Sequence, residues 1–117
     1  MPTCVVNITA ISETGDGKGT GTFADGGGPG SVGQDGQIDI SGQGTAIDLQ
    51  FDMTAAGYTF ADPGFTVSAG STFGPPTNNS TTQCTVEDNN VAEYEYTLHL
   101  INSAGSGISL DPRIINR

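Results

Sequence analysis

His99 is the sole histidine of the chain, and so the only side chain whose ordinary pKa suits proton transfer near neutral pH. A serine hydrolase would need it within hydrogen-bond reach of a nucleophile and of an orienting carboxylate. No Gly-x-Ser-x-Gly elbow accompanies it. Residues 103–107, Ser-Ala-Gly-Ser-Gly, approach that pattern without the strand-to-helix setting it requires. His99 is therefore read as a histidine on the exposed face of a strand. Glu93 and Glu95 share a strand face, spaced by about 6–7 Å along the chain, and paired carboxylates can in principle do glycosidase chemistry. Such enzymes need a deep cleft rimmed by aromatics, and the chain has no Trp.

Metal chemistry has one candidate. Asp16, Asp25 and Asp35 lie in Gly-rich turns, and Asp88-Asn89-Asn90 offers oxygens at another, a set of hard ligands that suits calcium. Neither an EF-hand loop nor a Gly-Gly-x-Gly-x-Asp repeat is present, and Asp and Asn favour turns for conformational reasons of their own. Two cysteines and one histidine cannot complete a zinc site. Gly17-Lys18-Gly19-Thr20 lacks the spacing of a phosphate-binding loop and no helix follows it. Tyr58, Tyr94, Tyr96 and the five Phe are better placed in a core than as sugar-stacking rings. The sequons at Asn7, Asn78 and Asn79 match by composition in an Asn- and Thr-rich chain.

Thirteen acidic residues face only Lys18, Arg113 and Arg117, for a formal charge of -10. That balance excludes phosphate-neutralising nucleic-acid binding and attraction to an anionic membrane. It leaves cations, a basic protein surface or a neutral ligand as partners, or acidity that serves solubility alone. Met1-Pro2-Thr3-Cys4 has neither a charged n-region nor an apolar h-region, so the expected location is cytoplasmic, or else a leader has been removed. In a reducing compartment Cys4 and Cys84 are expected as two buried free thiols. A bridge between them, closing a loop of roughly 80 residues, would contribute about 4.5 kcal/mol by chain entropy.

The 117 residues suit a single domain. Leu, Ile, Val and Phe make up about a fifth of them, a thin supply for a core, yet they fall in alternating runs. Residues 93–101 put Tyr94, Tyr96, Leu98 and Leu100 on one face and Glu93, Glu95, Thr97 and His99 on the other. Residues 103–107 turn, and a return strand from Ile108 runs to Asn116. Residues 3–12 form a first strand with Cys4, Val6, Ile8 and Ala10 on one face. Residues 45–54 form another, with Ile47, Leu49, Phe51 and Met53 inward and Asp48, Gln50 and Asp52 toward water. Residues 19–23, 37–41, 58–60, 65–68 and 82–87 supply shorter strands, the last at an edge. Residues 24–36 and 69–81 read as long loops, the first expected to be mobile unless a ligand or partner holds it. No window carries helical spacing free of Gly or Pro. The expected fold is all-β, a single antiparallel two-sheet sandwich of about seven to nine strands.

Tyr58-Thr59-Phe60 after an amphipathic strand, Tyr94-Glu95-Tyr96-Thr97, and the closing Asp111-Pro112-Arg113-Ile114-Ile115-Asn116 resemble small bacterial immunoglobulin-like sandwich proteins of the DP-EP type, over roughly residues 44–117. The resemblance implies an immunoglobulin-like fold in a bacterial protein and carries over no functional residue. Independently of it, Pro112 favours a bulge or edge, and Arg113 and Arg117 are placed to balance acids on neighbouring strands. With no catalytic, cofactor-binding or metal-ligating set assigned, the leading expectation is a non-catalytic binding or protein-interaction module, self-assembly through a sheet edge included. A calcium-dependent ligand-binding domain stands second, and a small hydrolase using His99 third.

Overall fold

A computed structural model of the chain describes residues 2–43, 46–67, 76–88, 93–110 and 113–116, and among these it holds eleven strands and no helix. They are β1 (Thr3–Glu13), β2 (Lys18–Gly27), β3 (Ser31–Val32), β4 (Ile38–Asp39), β5 (Ile47–Met53), β6 (Tyr58–Val67), β7 (Thr77–Ser80), β8 (Gln83–Asp88), β9 (Tyr94–Asn102), β10 (Gly107–Leu110) and β11 (Arg113–Asn116).

The strands form one mixed sheet in the order β3-β4-β11-β9-β10-β2-β1-β5-β8-β7, with β6 on the other edge of β9. Along one edge of β9, β10 pairs with residues 99–101 and β11 with residues 94–96. The sheet then curls until β7 and the turn after it reach β6. There Phe60 N–H donates to the Thr81 carbonyl at 2.8 Å, and Asn78 Nδ2 donates to the Ala61 carbonyl at 2.7 Å. The result is close to a barrel, whereas the sequence pattern suggested two antiparallel sheets. Three of the ladders are parallel: β1 with β5, β10 with β2, and β11 with β4. Alternation says which face of a strand is apolar and nothing about which strand lies beside it. A twisted sheet with every strand apolar on one face covers that face most economically by closing on itself.

The interior follows from period two. Cys4, Val6 and Ile8 of β1, Ile47, Leu49, Phe51 and Met53 of β5, Cys84 and Val86 of β8, and Tyr96, Leu98 and Leu100 of β9 are all buried in one core. Phe60 and Phe65 of β6 join them from either side of an irregularity at residues 61–64. Both cysteines are free, and burial pushes each thiol up to about 11, with the charge of Asp25 adding to the effect at Cys4. Cys4 is in register with Leu49 and Cys84 with Phe51, so β5 lies between them. Two strand spacings, about 9.5 Å, exceed the reach of a disulfide.

Several local expectations change. Residues 24–36, read as a loop, instead extend β2 to Gly27 and supply β3. The hold on this stretch is internal. Gly28 sits at φ +91°, where an added Cβ would lie 1.8 Å from the Thr3 carbonyl oxygen; at Gly30 it would lie 2.5 Å from that of Asp39. Absence of a side chain is thus what lets the segment press against β1 and β4. Residues 82–87, read as an edge strand, form β8 between β5 and β7. Ala10 is exposed and Ile11 packs on the core, because a register shift after Ile8 flips the alternation. Residues 58–60 and 65–68 join into β6, although Ser68, like residues 69–75 of the second long loop, lies outside the described residues. Strand β7 occupies part of that loop just after Pro76, at the end of the sheet path where Pro is tolerated.

Gly28→Ala should destabilise the fold by about 3 kcal/mol through steric overlap and a disfavoured φ, seen as a drop of roughly 10 °C or more in melting temperature. Gly15→Ala shares the positive φ of +90° but meets nothing within 4 Å, so it should cost only about 1 kcal/mol. Equal losses at both positions would show that the Gly28 contact with Thr3 does not hold the segment.

Candidate functional site

Two outward faces carry the polar chemistry. On the first, period two along β9 sends His99 outward between buried Leu98 and Leu100, midway between β6 and β10. His99 Nε2 lies 2.8 Å from Thr66 Oγ1 and Nδ1 lies 3.2 Å from Ser109 Oγ. Which ring nitrogen carries the proton depends on the tautomer; in the Nδ1–H form the ring donates to the Ser109 hydroxyl and accepts from that of Thr66. His99 is half-buried, and burial holds its pKa below the ordinary value, which keeps the ring neutral. Ser109 is in register with both His99 and Lys18, so the row continues onto β2. Both partners of the ring are hydroxyls, one from each neighbouring strand. Nothing in the sequence near His99 signalled Thr66 or Ser109, because both come to it from separate strands.

The second face covers β1, β5 and β8. Their ladders place outward side chains in three rows of three: Thr3–Asp48–Glu87, Val5–Gln50–Thr85 and Asn7–Asp52–Gln83. Rows are about 7 Å apart along the strands and neighbours in a row about 5 Å apart. All nine are half-buried, so the side chains lie against one another instead of extending into water. Gln50 Nε2 donates to both Asp52 oxygens at 3.2 Å, and Gln83 Nε2 donates to Asp52 Oδ1 at 3.0 Å. Asn79 of β7 fixes the far side, donating at 2.9 Å to Gln83 Oε1 and at 2.9 Å to Thr85 Oγ1. At the β2 border Val5 and Asn7 lean into the space that a Cβ on Gly26 would occupy. Asp48 and Glu87 are directly opposed across antiparallel strands, a like-charge pair. Among the described residues no side chain hydrogen-bonds either carboxylate.

The calcium candidates are dispersed into separate turns. Asp16, Asp25 and Asp35 each accept a backbone N–H from two residues on, Lys18 at 3.2 Å, Gly27 at 2.8 Å and Gln37 at 3.0 Å. The hydroxyl of Thr14 holds the Asp16 carboxyl below its usual range, and that of Ser41 does the same for Asp39. Among the described residues no three His, Cys, Asp or Glu side chains converge on one point. Asp88 is buried at the end of β8, while Asn89 and Asn90 lie outside the described residues, as do Arg117 and the side chain of Arg113. Glu93 precedes β9 and Glu95 is exposed on it, with no cleft-lining aromatic among the outward positions of that strand. Ser103, Ala104, Gly105 and Ser106 are an exposed turn closed by Asn102 Oδ1, which accepts Ala104 N–H at 3.0 Å and Ser106 N–H at 2.9 Å. Among the described residues no helix is long and apolar enough to cross a membrane.

The buried environment of His99 makes stability depend on pH. Its folded pKa lies below the reference 6.5, so between those values the unfolded chain binds more protons. Stability therefore rises with pH across that window and is lost as pH falls below 6.5. Melting curves of the wild type and His99→Gln between about pH 5 and 7 should converge toward lower pH, the wild type losing its advantage. Parallel curves would show that His99 is not the group responsible. No protein-family model matches the chain, and neither does any curated protein.

Proposed function

We propose that the chain is a protein-interaction module that docks a cationic partner surface on the outer face of β1, β5 and β8. The observation that carries this reading is the in-register array of nine half-buried side chains, with three carboxylates and no cation among them. Because Asn79, Gln83, Asp52 and Gln50 already fix one another, these four have little side-chain freedom left to lose on binding. The interior is filled by apolar side chains, which directs recognition to the outer surface. The opposed pair of Asp48 and Glu87 favours Lys or Arg from a partner, since a cation seated between them removes a repulsion and gains two attractions. A neutral ligand would leave that repulsion in place.

Charge also speaks against a second copy on this face, because two-fold pairing would bring the same three carboxylates together at a net charge of -10 per chain. The sheet-edge route to self-assembly has little to work with among the described residues: β3 has two residues and β7 is met by β6. The immunoglobulin-like assignment belongs to the same proposal, supported by the short alternating strands β5, β8 and β9 around a single core.

Titration with an arginine-rich peptide, followed by amide chemical shifts, should move residues of β1, β5 and β8 and weaken with added salt. Asp48→Asn combined with Glu87→Gln should reduce affinity roughly tenfold. The same pair of changes should raise stability by about 0.2–1 kcal/mol, since it removes opposed like charges. Loss of binding with a gain in melting temperature marks a recognition surface. Shifts on another face, or unchanged affinity in the double variant, would overturn the reading.

A further inference from the structure

We propose that Thr66 is an acyl-accepting nucleophile toward small activated esters and thioesters, with His99 as its general base and Ser109 as a positioning residue. The proposal goes beyond docking and rests on a different face. Three features of a working nucleophile meet here. Thr66 Oγ1 is exposed and 2.8 Å from His99 Nε2, within the range for proton transfer. The imidazole has a hydroxyl at each nitrogen, and in its Nδ1–H tautomer Ser109 Oγ accepts from the ring while Nε2 is left to take the Thr66 proton. The ring is clamped from two strands, β6 and β10, on a rigid central strand, so the alignment costs nothing at the moment of reaction.

The step balances without a co-reactant. Thr66 Oγ attacks the acyl carbonyl carbon while its proton passes to Nε2, giving a tetrahedral oxyanion and an imidazolium. Collapse breaks the bond to the leaving oxygen or sulfur, which takes the proton from Nε2. The product is an O-acyl threonine and a free alcohol or thiol, with His99 again neutral. The imidazolium donates to the hydroxyl of Ser109 where a triad would supply a carboxylate, so its stabilisation is weaker than in a hydrolase. Strand β9 presents a flat face, and its backbone N–H groups are used in the sheet. Capture of one acyl group per chain is therefore the outcome, with slow release to water. An open face admits small donors without selecting among them, hence the class of activated esters and thioesters.

The probe is p-nitrophenyl acetate on the full chain, read by release of p-nitrophenolate, intact mass and peptide mapping. The expected result is one acetyl group per chain on the peptide bearing Thr66, at a rate that rises with pH as His99 deprotonates and then levels off. Thr66→Val, close in shape and suited to a strand, should slow labelling there by about 100-fold, and Thr66→Ser should restore it. His99→Gln should match Thr66→Val. Ser109→Ala should keep the label but move the midpoint of the pH profile lower, as the imidazolium loses its acceptor. Should His99→Gln fail to fold, the Val and Ser substitutions at Thr66 decide alone. Acetyl groups found only on Lys18 or the chain terminus, or a rate indifferent to Thr66→Val, would overturn the proposal and leave the three residues a cross-strand clasp.

Discussion

Three rings hold this barrel together. Phe51 of β5, Phe65 of β6 and Tyr96 of β9 meet with centroids 5.6, 5.6 and 5.8 Å apart, joining β5 to the paired strands β6 and β9, from which it is far removed along the sheet path. In a chain without Trp and with eight aromatic residues, much of the volume needed to fill a closed sheet must come from a few large side chains. The cluster sets the distance between opposite walls. That distance in turn allows β7 to reach β6 and the Phe60 N–H to find the Thr81 carbonyl.

The ends of the core are finished with polar groups that the rings themselves help to place. The Tyr96 hydroxyl donates to the Gly36 carbonyl, tying the segment between β3 and β4 to β9. Elsewhere Glu13, Tyr58 and Asn102 continue the inward series of β1, β6 and β9 past their last buried apolar residues. Glu13 accepts from the Tyr58 hydroxyl and from Asn102 Nδ2 at 3.2 Å, and the bond to Glu13 holds the Tyr58 phenol above its usual range. The inward series of β1, β6 and β9 thus end in polar groups hydrogen-bonded to one another at the rim of the core.

How much of this was legible depended on whether the signal was local. The inward faces of β5 and β9, and of β1 as far as Ile8, could be read because alternation is a property of a few consecutive residues, and Ile47, Leu49, Phe51 and Met53 are buried as that pattern requires. The extent of β2 could not be read. Residues 19–23 read as a short strand, but the Ala-Asp-Gly-Gly stretch that follows has the composition of a loop and becomes strand because β1 offers an edge at the right distance. Register was equally hidden. Asp48, Gln50 and Asp52 were expected to face water, but their alignment with Thr3, Val5 and Asn7 on one side and Glu87, Thr85 and Gln83 on the other arises from pairings that no local pattern encodes. The same holds for His99: its chemistry was obvious from residue type, while its two hydroxyl partners come from positions 33 and 10 residues away.

A thin core also bears on where function can reside. With about a fifth of the residues supplying the bulk of the apolar volume, nearly every Leu, Ile and Phe among the described residues is committed to packing, and Ile101 alone is an exposed large hydrophobic. Among the described residues, an apolar docking patch of the kind that drives many protein interfaces has no side chains left to build it. What remains for recognition is polar, and polar recognition gains most where side chains are already fixed and where charge is left unbalanced. Closure into one sheet provides the first condition by stacking outward residues in register over three strands. The second comes from composition, since a chain with thirteen acids and three cations must leave carboxylates without a cation of its own. The two conditions meet as neighbours on the most regular part of the barrel, where the opposed, half-buried pair of Asp48 and Glu87 lies beside the bonded set of Gln50, Asp52 and Gln83.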